Sequence, residues 1–383
     1  MRPSSNREIA YDCRFFLGDR PCKWHKTEGS LCPCQNYVRV GEKILIIKLD
    51  AVGDVLRTTC LLPAMARMWP DSTLTWITRQ DSVPLLEKNP YLTEIIPYGP
   101  DAIIHVSSRV FDRVINLDAG KISSGLATMT RGKVKTGFLL QEGGFVKASN
   151  SEAEDWLRLG VFDDLKKNNK RTYQEIMCEI LGLPKEELGY VLEISNIERG
   201  MARDHMSRLG IDFSRPILGI HTGGGSRWVL KQWTEKGFVE LIDLVGDNMG
   251  KEVQVLLLGG PAEKSRNQRI ASAVKKPVFD GGCDNPLRHF AGILSHCQLV
   301  LSGDSLAMHM ALAMGCRVVV LFGPTSSNEI DLFGNGEKVF PVLDCLVCYR
   351  SSCDVKPNCM DSISASVVYE AVKRQLRAAL DGE

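Results

Sequence analysis

Residues Lys43 to Ala66, KILIIKLDAVGDVLRTTCLLPAMA, restrict the fold more than any other stretch of the chain. Ile44 to Leu49 is apolar and β-rich with a single interior lysine, the pattern of a strand buried in a parallel sheet. The segment from Asp50 to Gly53 breaks that run, and Val55, Leu56, Leu61, Leu62 and Met65 then recur at helical spacing. The stretch therefore reads as strand, tight glycine turn, helix. In an open parallel sheet, ligands bind beyond the carboxyl ends of the strands, where such turns lie. Gly53 and Asp54 stand on that turn, so Asp54 can point into a cleft. A plain helix cap is the competing role, since aspartate is a preferred N-cap.

The rest of the first half continues in kind. Thr73–Thr78, Glu94–Tyr98, Arg113–Leu117 and Lys133–Phe138 read as strands separated by helical or loop segments. That order predicts a parallel sheet wrapped by helices over residues 41–190. Asp118 directly follows a strand, so it is placed either to meet a ligand or to form the turn. Gly143-Gly144 reads as a mobile loop.

Residues 191–362 repeat the pattern after a charged linker. Apolar strands are expected at 216–220, 253–258, 277–280, 298–301 and 317–322, several of them ending in glycine, which lets backbone approach a ligand. Three loops carry chemistry. Gly223, Gly224 and Gly225 can present backbone N–H groups to a phosphate, with Lys231 close behind to offset negative charge. In SGDSLAMHMALAMG, Asp304 or Ser305 caps a helix whose N-terminus suits an anion, and His309 lies one turn in. Thr325 and Ser326 of FGPTSS offer hydroxyls near the same cleft. Taken singly, the glycine run also fits a surface loop and His309 a packed helix residue.

KILIIKLDAVGDVLRTTCLLPAM, HTGGGSRWVLKQWTEKGF, LLLGGPAEK and SGDSLAMHMALAMGCRVVVLFGPTSS, in this order, resemble the heptosyltransferase family, glycosyltransferase family nine, over residues 43 to 380. The resemblance implies the GT-B fold: two facing Rossmann-like α/β domains with parallel sheets, the first for the acceptor and the second for the nucleotide-sugar. It implies inverting transfer of a heptose or related sugar from a donor such as ADP-heptose, with no catalytic metal. It puts Asp54 in the place of the catalytic base and Lys231 in that of the lysine facing the donor phosphates. Thr222, Gly223, Gly224, Gly225 and Ser226 fall in one phosphate loop. Gly260, Asp304, Ser305, Met308, His309 and Thr325 fall on the donor side, with Gly53 and Asp118 on the acceptor side. The implied acceptor is a hydroxyl of a lipopolysaccharide-type glycan, a protein or a small molecule. The residue chemistry agrees: glycosyl transfer needs a base for the acceptor proton and cations or dipoles for the leaving diphosphate. An epimerase of the same fold, or a subunit that only binds the nucleotide-sugar, are the alternatives. A dehydrogenase is disfavoured because no G-x-G-x-x-G follows the first strand.

The net charge of +1 gives no argument for a nucleic-acid partner, and no stretch has the length of a membrane span. The opening MRPSSNREIAYDC lacks an apolar signal core, so a cytoplasmic protein, at most peripheral at an inner membrane, is expected. Thirteen cysteines then suggest metal ligands or core thiols more than disulfides. Residues 1–40 form a leader with Cys13, Cys22, Cys32 and Cys34. A loop at 345–359 carries Cys345, Cys348, Cys353 and Cys359. Either group could hold a structural zinc or iron ion, the second more readily because it begins C-x2-C. Residues 363–383 read as a helix with an apolar stripe at Val368, Val372, Leu376 and Leu380, suited to packing back on the first domain.

Overall fold

The structure is a computed structural model that describes residues 8–185, 188–224 and 229–382. Gly225 and Ser226 lie outside the described residues. Two α/β domains face each other, each built on a six-stranded sheet. The strands, in chain order, are β1 (Lys43–Ile47), β2 (Thr73–Thr78), β3 (Glu94–Pro97), β4 (Val110–Asn116), β5 (Arg131–Leu140), β6 (Val146–Ala148), β7 (Ile217–His221), β8 (Gln254–Leu258), β9 (Phe279–Asp280), β10 (Leu299–Gly303), β11 (Arg317–Leu321) and β12 (Gly336–Val339). The first sheet runs β3-β2-β1-β4-β5-β6 and the second β12-β11-β10-β7-β8-β9.

The opening strand lies where its apolar run demands. β1 sits between β2 and β4, with Ile44, Leu45, Ile46 and Ile47 all buried. A strand with neighbours on both edges and helices on both faces has no solvent side, which is why its hydrophobicity is continuous rather than alternating. β7 and β10 hold the same central place in the second sheet.

Three expectations are corrected. The first sheet is not wholly parallel: β6 pairs antiparallel with β5, and Gly143-Gly144 forms the turn of that hairpin, with Gly144 at φ +77°. Two strands, β6 and β12, escaped the sequence reading because they are short edge strands with few fully buried side chains. The closing helix, Ala365–Asp381, packs on the second sheet rather than on the first domain. It lies against β10, β11, β12 and the helix Glu235–Met249. Val368, Val372 and Leu376 are buried there as the stripe required, while Leu380 is exposed.

The domains share a core. One buried cluster runs from Leu56, Leu61 and Tyr173 of the first domain through Tyr190 and Ile194 of the connection to Ala202, Met308 and Phe322 of the second. The leader folds on itself: Cys13 bridges to Arg39, Tyr37 donates to Asp12 at 2.8 Å, and Arg14 reaches Asp71 of the first domain at 3.4 Å. Among the described residues no helix is long and apolar enough to cross a membrane.

Candidate active site

The first half of the site grows out of the turn after β1. The chain enters the helix Val52–Thr58 at Ala51, and Asp54 lies in its first turn. Its carboxylate accepts a long bond from the Ala51 N–H at 3.4 Å, so part of the capping role is real. Its other oxygen lies 3.4 Å from Arg57, and 41% of its side chain remains exposed. Burial opposes ionisation of Asp54, but Arg57 and Lys48 outweigh it and hold the carboxyl below the usual range. Asp54 is therefore an ionised carboxylate at the carboxyl end of the central strand.

Arg57 was not singled out from the sequence, although the i, i+3 spacing to Asp54 was a readable signal. Its guanidinium stacks 3.6 Å from the centroid of the Tyr173 ring, and its buried Nε has no hydrogen-bond partner among the described residues. Tyr173 in turn shares a 2.7 Å hydroxyl contact with Thr58. Asp118 resolves to the turn-forming role. It is buried, pairs with Lys48 and accepts the N–H groups of Leu49 and Asp50, so its carboxylate is fully engaged in fixing the end of β1.

The second half centres on Asp304, after β10. Lys231 donates to its carboxylate at 2.7 Å, and Thr325 donates to the same oxygen at 2.8 Å. Burial opposes the charge of Asp304, but Lys231 outweighs it and keeps the carboxyl below its usual range. Lys231 is threaded between two glycines. A Cβ on Gly224 would stand 3.1 Å from its own Cβ, and one on Gly303 would stand 3.3 Å from its carbonyl oxygen. Ser305 occupies the N-cap of the helix Leu306–Ala313, its hydroxyl 2.9 Å from that of Ser302.

Other donor-side candidates serve the frame. Thr222 is buried with its hydroxyl on Asn267, and Met308 is fully buried in the shared core, so neither side chain lines the cleft. Gly223 packs on Glu263, where a Cβ would collide with the carboxylate at 2.3 Å. Glu263 also takes the Gly260 N–H at 2.9 Å, tying the two glycine turns together. Sequence reading missed Glu263 because a glutamate after Gly-Pro looks like ordinary helix-start chemistry.

The halves meet at His309. Gly53 lies against it, so that a methyl at Gly53 would already touch the ring at 3.5 Å. His309 Nδ1 bonds the Tyr190 hydroxyl at 3.1 Å. Burial and Arg57 push its pKa down to about 4 against the pull of Asp304 and Asp54, so the ring is neutral near pH 7. One neutral imidazole thus stands among Asp54 and Arg57 of one domain and Asp304 and Lys231 of the other. Glu329 adds a carboxyl here whose pKa burial raises, against Arg57 and Lys166.

The cysteine groups fare differently. All thirteen are free thiols, and among the described residues no group of three or more Cys, His, Asp or Glu side chains is close enough to hold a metal ion. In the leader, Cys13 is buried and Cys32 exposed. In the tail, burial pushes the Cys359 thiol up to about 11, with Cys348, Cys353 and Cys345 adding to the rise.

Two facing α/β domains, with an ionised carboxylate at the end of one central strand and a lysine-bearing helix-end site at the end of the other, suit a two-domain glycosyltransferase. The profile described as Glycosyltransferase family 9 (heptosyltransferase) matches residues 104–358, and the chain belongs to that family. It is 25% identical over 321 residues to the lipopolysaccharide core heptosyltransferase OpsX of Haemophilus influenzae, covering 80% of this chain and 86% of that one. Its fold matches the E. coli ADP-heptose LPS heptosyltransferase II with a TM-score of 0.67 at 19% identity, over 88% of this chain and 98% of that one. It also matches the iron-containing dodecameric glycosyltransferase TibC of enterotoxigenic E. coli, with a TM-score of 0.56 at 13% identity, over 90% and 81% of the two chains.

Proposed function

We propose that this enzyme transfers a heptose, or a closely related sugar, from a nucleoside-diphosphate donor such as ADP-heptose to a hydroxyl of a lipopolysaccharide-type acceptor, with inversion and without a catalytic metal ion. Asp54 takes the proton of the acceptor hydroxyl. The oxygen so activated attacks the anomeric carbon from the face opposite the leaving group, and the nucleoside diphosphate departs with the bonding pair. Lys231, the Gly223–Gly225 loop and the Ser305 helix end offset the charge that grows on the diphosphate. The observation that carries this reading is the meeting of an ionised Asp54 and the Lys231–Asp304 pair about His309. We read the enzyme as cytoplasmic and peripheral to the membrane bearing its acceptor.

The test is an acceptor screen with ADP-heptose and the other nucleoside-diphosphate sugars, read by mass spectrometry, with the anomeric configuration of the product assigned by NMR. Conversion of donor with no acceptor present would favour an epimerase. Donor binding without turnover would favour a carrier subunit.

A second reading concerns the tail cysteines. We propose that Cys345, Cys348, Cys353 and Cys359 hold one structural zinc or iron ion. The C-x2-C start supports it, as does the iron-containing TibC among proteins of this fold. Four thiolates leave no open position on a metal, so such an ion would stabilise the loop and take no part in transfer.

A further inference from the structure

The cysteine loop does not stand apart from the cleft. The segment after β11, Gly323 to Ser326, carries Thr325, whose hydroxyl holds the Asp304 carboxylate. The cysteine loop grips this segment along its length. Val347 N–H donates to the Gly323 carbonyl at 3.4 Å, and Tyr349 N–H donates to the Pro324 carbonyl at 2.9 Å. The Ser326 N–H donates to the Tyr349 hydroxyl at 3.2 Å. Cys359 closes the far end, its sulfur 2.6 Å from where a Cβ on Gly323 would lie. From the other domain, Lys166 reaches over the Tyr349 ring at 4.5 Å. Tyr349 is thus touched from both sides of the cleft. Val347 and Tyr349 both sit at positive φ, +59° and +49°, a conformation that a β-branched residue adopts only when its surroundings impose it.

We propose that Tyr349 is a positioning residue for the donor half of the reaction. Through Ser326 and Thr325 it fixes the orientation of Asp304, and through Asp304 that of Lys231. The proposal rests on reading Asp304 and Lys231 as the donor half of the site. Its logic is steric and hydrogen-bonded. Ser326 is a buried residue whose amide has the phenol oxygen as partner, and an amide deprived of its partner favours a shifted backbone. A shift at Ser326 moves the neighbouring Thr325 hydroxyl, and Lys231 then loses the fixed carboxylate that aims it.

Tyr349→Phe keeps the ring and its packing and removes only the hydroxyl. In this variant we expect the donor KM to rise about two- to thirteenfold, the range set by the net worth of one hydrogen bond. The acceptor KM and the melting temperature should stay near wild type. Hydrogen exchange on the apo protein should show faster exchange at Ser326 and Thr325 in Tyr349→Phe. Tyr349→Trp, which restores an N–H donor but no acceptor, should not rescue. Unchanged exchange at Ser326, or faster exchange with unchanged donor KM, overturns the proposal. So does a variant that lowers only the melting temperature. If wild-type protein transfers no sugar, the reading of function fails. The affinity for ADP and the other nucleoside diphosphates, with the exchange data, still decides the role of Tyr349: equal affinity in wild type and Tyr349→Phe, or no nucleotide bound by either, overturns it.

Discussion

His309, from the second domain, lies so close to Gly53 of the first that a Cβ on Gly53 would stand 3.5 Å from its ring, one residue before Asp54. A methyl here would make ordinary van der Waals contact with the ring, and a larger side chain would have to fit between His309 and Leu306. The contact explains why the histidine is neutral. Enclosed by both domains and faced by Arg57, its charged form has neither water nor an unopposed anion, and its pKa falls to about 4.

Asp54→Asn is expected to lower kcat by ~10²–10⁴, the range for a general base. Donor affinity should change little, while the melting temperature should fall, because Arg57 loses its paired carboxylate although the amide oxygen can still accept the Ala51 N–H. Steady-state kinetics with calorimetric donor binding check this. Turnover within a few-fold of wild type would remove Asp54 from the mechanism.

The pH profile should carry the signature of Arg57. Because the carboxyl of Asp54 is held low in the fold, its ionised form contributes stability above the unfolded value of about 3.9, and that contribution disappears as pH falls through the folded value. The acid limb of kcat/KM should accordingly lie below the ordinary carboxylate range. In Arg57→Gln the principal opposing charge is gone, burial dominates, and the limb should move to higher pH. Arg57→Lys should keep it low. An identical acid limb in Arg57→Gln and wild type would contradict the pairing.

Lys231→Met should raise the donor KM, lower kcat, or both, with the acceptor KM little changed. It also leaves Asp304 largely buried with only Thr325 as partner, so stability should fall by on the order of 3 kcal/mol. Removing the carboxylate as well, in Lys231→Met with Asp304→Asn, should restore much of the stability and none of the activity. Additive losses in thermal unfolding would mean that the pair is not coupled.

Elemental analysis of protein purified without a metal-affinity tag should find about one equivalent of zinc or iron, as one four-thiolate site requires. Cys345→Ser with Cys348→Ser should lose the metal and melt at a lower temperature, since metal binding and folding of such loops are linked. Less than ~0.1 equivalent would mean that the tail cysteines are free thiols.

Much of the candidate site was legible before the fold. Asp54, Lys231, Asp304 and Thr325 were placed by loops that follow apolar strands, and strand ends are where parallel sheets bind ligands. What could not be read was the use made of each side chain. Asp118 and Asp54 both follow a strand of the first sheet, yet one is buried under Lys48 and the other faces the cleft. Met308 and His309 are adjacent in one motif, yet one is core and the other joins the domains. Arg57, Tyr173, Tyr190 and Tyr349 went unnoticed because arginine and tyrosine carry no pattern until their neighbours in space are known.

The sequence by itself determined the two-domain α/β architecture, through continuous apolar strands punctuated by glycine, and the set of loops that can carry chemistry. Those are local properties, governed by hydrophobic period and turn geometry over a few residues. The tertiary structure alone decided that the closing helix covers the second sheet, that Asp118 is buried under Lys48, and that Tyr349 holds the Ser326 amide beside Thr325. Each depends on contacts between segments far apart in the chain. Burial, ion pairing and hydrogen bonding there act through distance in space, which no spacing along the sequence encodes.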